Sequence, residues 1–343
     1  MIRIQNIYYM LAYAFQVLHE QGYKDVATED FENTAELLSA ILCRGVSIQI
    51  KRGLCRQYIT NEEPLGSPRG KIEIGESIKT QAIRKKQLVC AYDEFSVDAY
   101  TNRIIKTTME LLLRANISKT RKKEIRKLLI FFDGVSVLDT HSINWDIQYD
   151  RNNQTYRMII EVCHLVIKGL VQTSADGSTR IMDYADDQTM AKLYEKFILG
   201  YFQREHTDIK AYSPQIAWQV TDGHRTLLPT MQSDIVISNK KTKKTLIIDA
   251  KYYSHNMQMK APYMTQTLHS GNLYQIFTYV KNWNAAPDET ISGMLLYART
   301  DDAIQPDNDY QMSGNQISVK TLDLNCEFAV IAAQLDAIAD SIK

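Results

Sequence analysis

The sequence predicts a two-domain protein that combines the α/β and α+β classes. Its 343 residues exceed what one ordinary hydrophobic core holds, so two domains are expected. Apolar residues make up 45% of the chain and charged residues 23%, as in globular proteins that fold in water. The apolar pattern alternates between the period of a helix and that of a strand, and a polar segment of small residues interrupts it at residues 172–179.

The composition also predicts where the protein resides. No run reaches 18 uncharged apolar residues, so we expect no membrane span and no membrane partner. The first residues lack the layout of a signal peptide. The five cysteines are widely spaced and form no CxxC pair, which is typical of reduced thiols. We therefore expect a cytoplasmic protein.

The charge balance limits how the chain could bind nucleic acid. The formal net charge is zero, whereas a protein that binds DNA unaided usually has a basic excess or a marked basic face. Either the positive charge is local, or a partner supplies most of the affinity. The strongest basic cluster, residues 119–128, is interpreted as a DNA contact or as a solvated helix face.

The first part of the chain predicts helices followed by strands. Residues 5–19 are apolar around most of a helix, so we expect a buried helix whose tyrosines pack in a core. A second helix is predicted over residues 34–44, ending at Gly45. From residue 46 the pattern alternates with period two, which predicts strands at residues 46–50 and 71–74.

A loop with two prolines and two glycines separates those predicted strands. We therefore predict a β-hairpin finger over residues 46–74 with a projecting tip. Such a finger suits the groove or pore of a partner, and an ordinary surface loop is the alternative. The predicted tip residues are Glu62, Glu63, Pro64, Leu65, Gly66, Ser67, Pro68 and Arg69.

The later elements divide at the polar segment. Amphipathic patterns predict further helices at residues 99–114, 156–171, 189–205, 271–283 and 328–342, and a strand at residues 292–297. The polar, small-residue segment marks a boundary between an N-terminal domain, residues 1–172, and a C-terminal domain, residues 181–343.

The C-terminal domain is organised around a predicted antiparallel hairpin at residues 233–251. Two β-branched apolar runs flank a polar link, which is a hairpin signal. If opposed residue numbers sum to 483, Asp234 lies directly opposite Asp249. Lys251 joins the same side, because residues two apart on a strand share a face. Two carboxylates and an ammonium group therefore converge at one end of an apolar hairpin.

This convergence indicates metal-dependent phosphodiester hydrolysis. Paired carboxylates repel each other, and a divalent cation removes the conflict. Mg²⁺ takes one or two carboxylates and keeps waters that a phosphate can replace, while a nearby lysine can orient or deprotonate water. A simple salt bridge between Asp249 and Lys251 is the alternative. Glu195 is either a further ligand or a solvated helix residue, and a second Asp-x-Lys copy at residues 208–210 is interpreted as a solvated loop.

These residues resemble the core of the PD-(D/E)xK nuclease superfamily, with Ser233 at the position of the motif's proline. Two residues of the predicted helix at 271–283 are similar to the Q-x-x-x-Y motif of some branches. The resemblance implies catalytic Asp234, Asp249 and Lys251. It implies Mg²⁺, or Mn²⁺ in its place, held by the two aspartates and the Ala250 carbonyl, with Glu195 as a further candidate. Supporting or DNA-contacting roles follow for Gln275 and Tyr279.

Blocks spread over nearly the whole chain resemble the McrC family, the nuclease subunits of McrBC modification-dependent restriction systems. They lie at residues 5–14, 102–106, 193–197, 233–235 with 247–253, and 272–275. The resemblance implies an N-terminal domain that docks in the centre of a hexameric McrB-like AAA+ GTPase ring, with the finger tip in its pore. It implies a restriction-endonuclease-like α/β C-terminal domain that cleaves double-stranded DNA containing methylated cytosine.

The chain has no P-loop GxxxxGK[ST], so we expect it to bind no nucleotide by itself. Two rival functions remain compatible with the residues. One is a stand-alone repair-type nuclease of the same superfamily, and the other is a non-catalytic activator of a AAA+ ring.

Overall fold

The structure is a computed structural model that describes residues 2–15, 31, 33–149, 154–176, 187–223, 226–260 and 265–343. The end of the predicted first helix, residues 16–19, lies outside the described residues. The chain divides into two compact units. One is Leu38–Thr179, and the other joins Met1–Leu37 to Arg180–Lys343.

The secondary structure is mixed, which confirms the predicted combination of helices and sheets. The helices are α1 (Ile4–Ala14), α2 (Thr34–Arg52), α3 (Ile74–Lys79), α4 (Tyr100–Arg114), α5 (Lys119–Leu129), α6 (Arg157–Asp176), α7 (Asp187–Glu205), α8 (Ser270–Asn282) and α9 (Phe328–Asp340). The strands are β1 (Gln57–Leu65), β2 (Lys71–Ile72), β3 (Leu88–Ser96), β4 (Lys210–Tyr212), β5 (Gln215–Ile216), β6 (Met231–Gln232), β7 (Ile235–Asn239), β8 (Lys244–Lys251), β9 (Gln258–Lys260), β10 (Thr265–Thr267), β11 (Thr290–Ala298), β12 (Asn308–Met312) and β13 (Asn315–Leu322).

Most of the predicted helices are confirmed, namely those that became α4, α6, α7, α8 and α9. Among the described residues, no helix is both long enough and apolar enough to cross a membrane. The five cysteines all lie within the described ranges and form no disulfide there.

The predicted strand at residues 46–50 is wrong, because α2 continues past Gly45 to Arg52. Apolar residues at 46, 48 and 50 alternate as in a strand. In the structure, however, Leu42, Val46 and Gln49 are buried, and their spacing is that of one face of a helix. The apolar pattern of this segment is therefore compatible with a helix as well as with a strand. A short apolar run does not distinguish the two periods by itself.

The predicted finger has a different architecture from the hairpin proposed over residues 46–74. β1 pairs antiparallel with β3, from Gln57↔Ser96 to Leu65↔Leu88, in a sheet of order β1-β3-β2. The predicted tip residues 62–65 therefore lie inside an edge strand, the kind of strand in which proline is tolerated. The far end consists of residues 66–87, which include β2 and α3. We call β1, β3 and residues 66–87 the ribbon.

Polar side chains hold the base of the ribbon. Asn102 on α4 donates from Nδ2 to the carbonyls of Cys55 and Val97, each over 2.8 Å. The hydroxyl of Tyr156 accepts from the Cys55 N–H over 2.8 Å. Cys55 and Val97 lie just outside β1 and β3, so these bonds fix both chain ends of the ribbon.

The second unit contains a six-stranded sheet of order β12-β13-β11-β8-β7-β4. β8, β11 and β13 run parallel to one another, whereas the β7–β8 pair is antiparallel. The β7–β8 register pairs Ile235 with Ile248, which confirms the predicted constant of 483. The hairpin that carries the candidate site is therefore a central part of a sheet.

Helix α8 packs on one face of this sheet. Ile276, Tyr279 and Val280 join a buried cluster with strand residues such as Ile247 and Leu295. The sheet has a glycine beneath the helix, at residue 293. A Cβ there would come within 2.9 Å of side chains on the helix, so the absence of a side chain lets α8 approach the sheet closely.

The N-terminal helix belongs to the unit that contains the six-stranded sheet. A Cβ at Gly200 of α7 would lie 2.3 Å from the carbonyl oxygen of Tyr13, so this glycine permits close packing of α1 on α7. Tyr9 stacks on Phe328 with ring centroids 4.0 Å apart, and Asn6 donates to the carbonyl of Leu324 over 2.9 Å. The compact units thus differ from the predicted domains in the placement of residues 1–37. The predicted packing role of the tyrosines is confirmed.

Candidate metal centre

The three charged side chains predicted from the hairpin converge at the carboxyl end of β8. Asp249 and Lys251 are two residues apart on β8, and the Lys251 Nζ lies 2.7 Å from Asp249 Oδ2. Asp234 immediately precedes β7, and its Oδ2 accepts a hydrogen bond from the Ala250 N–H over 2.8 Å. The expected juxtaposition of two carboxylates and one ammonium group is therefore present.

The carboxylate of Asp249 is buried and poorly satisfied. The residue has 0% relative exposure, and within the described part of the chain neither oxygen accepts a well-formed hydrogen bond. Lys251 forms an ion pair with one of these oxygens, Oδ2. Buried carboxylate oxygens without donors are unfavourable, so this site is suited to a cation.

The electrostatics of the site agree with this interpretation. Burial raises the pKa of Asp234, and repulsion from Asp249 and Glu195 raises it further. Burial also raises the pKa of Asp249, although the Lys251 ammonium group opposes the shift. Burial lowers the pKa of Lys251, but attraction from the two aspartates outweighs it, so the net shift is upward. One ammonium group does not balance the acidic side chains, and the site therefore favours an added proton or cation.

Glu195 on α7 lies within electrostatic reach of this centre. Burial raises its pKa, with Lys251 lowering it and Asp249 raising it. Even so, the described residues contain no group of three His, Cys, Asp or Glu side chains that could already hold a metal ion. The geometry therefore provides a centre with two carboxylates, and the roles of Glu195 and of the Ala250 carbonyl as ligands stay predictions.

The two aspartates fit Mg²⁺ by their chemistry. This ion prefers hard oxygen ligands and is commonly held by one or two carboxylates plus waters and substrate phosphate. The unsatisfied oxygens of Asp249 and the neighbouring Asp234 are such ligands. When bound there, a divalent cation supplies Lewis-acid stabilisation of charge on a phosphate group.

Gln275 and Tyr279 link the lysine to the strand that leads into Asp234. Lys251 Nζ donates to Gln275 Oε1 over 3.2 Å, and Gln275 Nε2 donates to the Tyr279 hydroxyl over 2.9 Å. That hydroxyl donates to the Gln232 carbonyl over 3.0 Å. The chain of bonds runs from β8 through α8 to β6, so it orients the Lys251 ammonium group relative to Asp234.

A second set of bonds, which the sequence did not reveal, holds the backbone before Asp234. The buried Ser233 donates its N–H to the Pro214 carbonyl over 3.2 Å, and the Ser213 hydroxyl donates to the Ser233 carbonyl over 2.7 Å. Gln232 Nε2 donates to the Ser213 hydroxyl over 3.0 Å. Because the partners are backbone and loop groups about twenty positions away, no local pattern signals them.

The remaining predicted residues lie in different surroundings. The second Asp-x-Lys copy places Asp208 on the surface, 3.1 Å from Lys343, in agreement with the prediction of an exposed loop. In the ribbon, Glu63 accepts a hydrogen bond from the Tyr92 hydroxyl over 2.6 Å, and the Arg69 guanidinium lies 4.3 Å from the centre of the Tyr92 ring. These contacts give the predicted tip residues structural partners within the ribbon itself.

Comparisons with known proteins give consistent results. A family model described as McrBC 5-methylcytosine restriction system component matches residues 4–298. The Type IV methyl-directed restriction enzyme EcoKMcrBC of Escherichia coli strain K12 is 30% identical over 347 residues, covering 99% of this chain and 97% of that relative.

Two solved structures are also similar to the chain. One is a half-complex from a tetradecameric assembly of Thermococcus gammatolerans McrB AAA+ hexamers with bound McrC. Its identity is 18% and its TM-score 0.48, over 99% of this chain and 76% of that one. The other is the Thermococcus gammatolerans McrBC complex, with 19% identity and a TM-score of 0.37 over 49% of this chain and 55% of that one.

Proposed function

The chain belongs to the McrBC 5-methylcytosine restriction system component family, and on this premise we propose that it is the DNA-cleaving subunit of a GTP-dependent restriction complex. The resemblance to the McrC family is thereby confirmed at the level of the family. The proposed reaction is hydrolysis of a phosphodiester in double-stranded DNA that contains methylated cytosine, with Mg²⁺ as cofactor and Mn²⁺ as a substitute. The proposed location is the cytoplasm.

The observation that supports cleavage is the buried, unsatisfied carboxylate of Asp249 beside Asp234 and Lys251. In the PD-(D/E)xK arrangement, which we propose for this unit, the two acids and the lysine follow one another in this order on a hairpin. Asp234 and Asp249 would hold the cation, with the Ala250 carbonyl and Glu195 as further candidates. A cation held there would stabilise negative charge on the scissile phosphate.

Lys251 acts on the attacking water and on the developing phosphate charge. Without a bound cation, burial lowers the pKa of Lys251 but the two aspartates raise it above its usual range. We assign Lys251 to positioning the attacking water and stabilising the developing charge, since a protonated lysine can do both. Gln275 fixes the direction of the ammonium group, and Tyr279 fixes Gln275.

We propose that the partner is a McrB-like hexameric AAA+ GTPase that recognises methylated cytosine. Recognition by a partner accounts for a cleaving subunit whose own net charge is zero. The compact unit Leu38–Thr179 would dock on this GTPase and stimulate GTP hydrolysis.

The ribbon is the proposed docking element, because it exposes apolar side chains beyond β1. Ile74 is 65% exposed and Ile78 is 63% exposed, and Ile72 and Ile83 are exposed as well. Clustered exposed apolar residues mark interaction sites more often than free surface. The proposed contact therefore extends from the predicted tip residues 62–69 to the whole connection, residues 66–87.

Reconstitution with the GTPase tests this function against its rivals. The purified chain, its GTPase partner, GTP, Mg²⁺ and methylated duplex DNA are combined, and each component is then omitted in turn. We expect cleavage when all are present and negligible cleavage without the partner. Equal cleavage by the isolated chain would indicate a stand-alone repair-type nuclease. Stimulated GTP hydrolysis without any cleavage would indicate a non-catalytic activator.

A further inference from the structure

Helix α5 in the unit Leu38–Thr179 carries a concentration of unpaired positive charge. Its sequence contains six basic residues and one acidic residue, Glu124, which pairs with Arg121 over 2.7 Å. The other five basic side chains have no ion-pair or hydrogen-bond partner among the residues that the structure describes. They are Lys119, Lys122, Lys123, Arg126 and Lys127. We call these five the cationic stripe.

The spacing of the cationic stripe places it on one side of the helix. Its members follow the pattern i, i+3, i+4, i+7 and i+8, and at 100° per residue they fall within an arc of about 140°. Ile125 and Leu128 are buried on the opposite side, so they anchor α5 with the stripe facing outward. Ser118 caps the helix by accepting the Arg121 N–H over 3.1 Å. The stripe is thus a fixed row of charges about 12 Å long.

A row of like charges repels itself, so its natural partner is an extended anion. Duplex DNA carries one negative charge per about 1.7 Å of axis, and a stripe about 12 Å long therefore faces several phosphates at once. Four of the five side chains are lysines, which are depleted in protein–protein interfaces but commonly contact phosphates. The composition favours a nucleic-acid backbone over a protein surface.

We propose that the cationic stripe binds the phosphate backbone of duplex DNA. The inference rests on the proposed function and extends it, because it adds a sequence-independent DNA contact in a different compact unit from the one that contains Asp249. It also adds a local basic face to the affinity that the proposed partner supplies, which is compatible with a net charge of zero. Backbone contacts of this kind position a duplex without reading its bases.

Salt-dependent binding of unmethylated duplex DNA by the full chain tests the proposal. The slope of log K against log salt falls by about one for each phosphate that the protein no longer binds. We therefore expect Lys122→Ala with Lys123→Ala to reduce the slope by about two. Alanine preserves helix propensity, so α5 should remain folded, and Lys122→Gln with Lys123→Gln should give the same reduction.

The matched control removes the same charge from the same unit. Lys51 and Arg52 are adjacent exposed cations at the end of α2, and Lys51→Ala with Arg52→Ala should leave the slope near the wild-type value. An unchanged slope in both stripe variants, or an equal reduction in the control, overturns the proposal.

A second readout separates DNA from a protein occupant. Ile130 and Phe131, 72% and 57% exposed, follow α5 directly and would suit a protein interface. Stimulation of the GTPase partner in the absence of DNA should be the same for the stripe variants as for wild type. Loss of that stimulation with an unchanged salt slope would show that the stripe docks on the partner instead. None of these measurements involves cleavage, so failure here is distinguishable from failure of the proposed nuclease function.

Discussion

Lys251 lies 2.7 Å from the carboxylate of Asp249 but leaves both of its oxygens without a well-formed hydrogen bond. The ammonium group also donates to Gln275 Oε1, 3.2 Å away on α8. The ion pair and this hydrogen bond together hold the lysine beside the carboxylate. One ammonium group does not balance the buried acidic side chains, so the centre still favours a cation.

Gln275→Met should reduce DNA cleavage by the reconstituted complex by about 10- to 100-fold, the range found when supporting hydrogen bonds of metal centres are removed. The substitution keeps the side-chain length but removes the acceptor for Lys251 and the donor to Tyr279. Initial cleavage rates at saturating GTP measure the effect. Thr278→Ala is the matched control on α8, since it removes a hydroxyl that donates to the Tyr274 carbonyl. Equal losses in both variants would argue against a specific role for Gln275.

The metal-free protein should lose stability as pH rises through the range set by Asp234. Burial and repulsion from Asp249 and Glu195 raise its pKa in the folded state, whereas the unfolded chain titrates near the usual value of about 3.9. Between these two values the folded state binds more protons, so the free energy of unfolding falls with increasing pH. Thermal unfolding in EDTA from about pH 5 to about pH 8 measures this slope.

Asp234→Asn provides the comparison for that slope. The asparagine side chain is neutral at every pH, and its amide oxygen can still accept a hydrogen bond from the Ala250 N–H. It should show a flatter profile and a higher Tm than wild type at the alkaline end of the range. Added Mg²⁺ should raise the Tm of wild type but not that of the variant. At a Mg²⁺ concentration of about a hundred times the Kd, the expected gain in the free energy of unfolding is about 2.7 kcal/mol. Parallel profiles for the two proteins would contradict the assigned pKa direction.

Gly200→Ala should destabilise the unit that joins α1 to α7. The new Cβ would lie 2.3 Å from the Tyr13 carbonyl oxygen, and overpacking of this kind costs about 1–3 kcal/mol. A lower urea midpoint with an unchanged m-value measures the loss. Gly271→Ala on α8 is the control, because nothing lies within 4 Å of its added Cβ. The helix-packing interpretation fails if both variants unfold at the same urea concentration.

Ile74→Asp combined with Ile78→Asp should abolish most stimulation of GTP hydrolysis by the partner. Both side chains are exposed on the ribbon, so the change should leave the fold intact while placing charge in the proposed interface. Val137→Asp, an exposed apolar position of the same compact unit, is the control. The measurement is the GTPase rate of the partner in the absence of DNA. Stimulation at the wild-type level by the double variant would show that the ribbon is not the docking element.

Local patterns predicted the site better than they predicted its surroundings. The β7–β8 register followed from two apolar runs and a short polar link, all within residues 233–251. The same information placed Asp234, Asp249 and Lys251 together. Gln275 and Tyr279 were identified through their resemblance to the Q-x-x-x-Y motif, whose spacing of four places both on one helix face.

Relationships between distant segments could not be predicted in this way. The pairing of β1 with β3 spans an insertion that itself contains β2 and α3, so no turn signal marks it. The packing of α1 on α7 depends on the absence of a side chain at Gly200. The sequence does not show that Tyr13 lies against this glycine, so the role of Gly200 could not be predicted. The error over residues 46–50 had a different cause, since a short apolar run fits both periods.

The most direct test of the central claim compares two activities of the Asp249→Asn variant in complex with its GTPase partner. The substitution removes a carboxylate that has 0% exposure and replaces it with a neutral group of the same shape. Loss of several kcal/mol of charge stabilisation predicts a decrease in DNA cleavage on the order of a thousandfold. Stimulation of GTP hydrolysis should stay at the wild-type level. Cleavage at the wild-type rate by this variant would contradict the assignment of Asp249 to the metal centre.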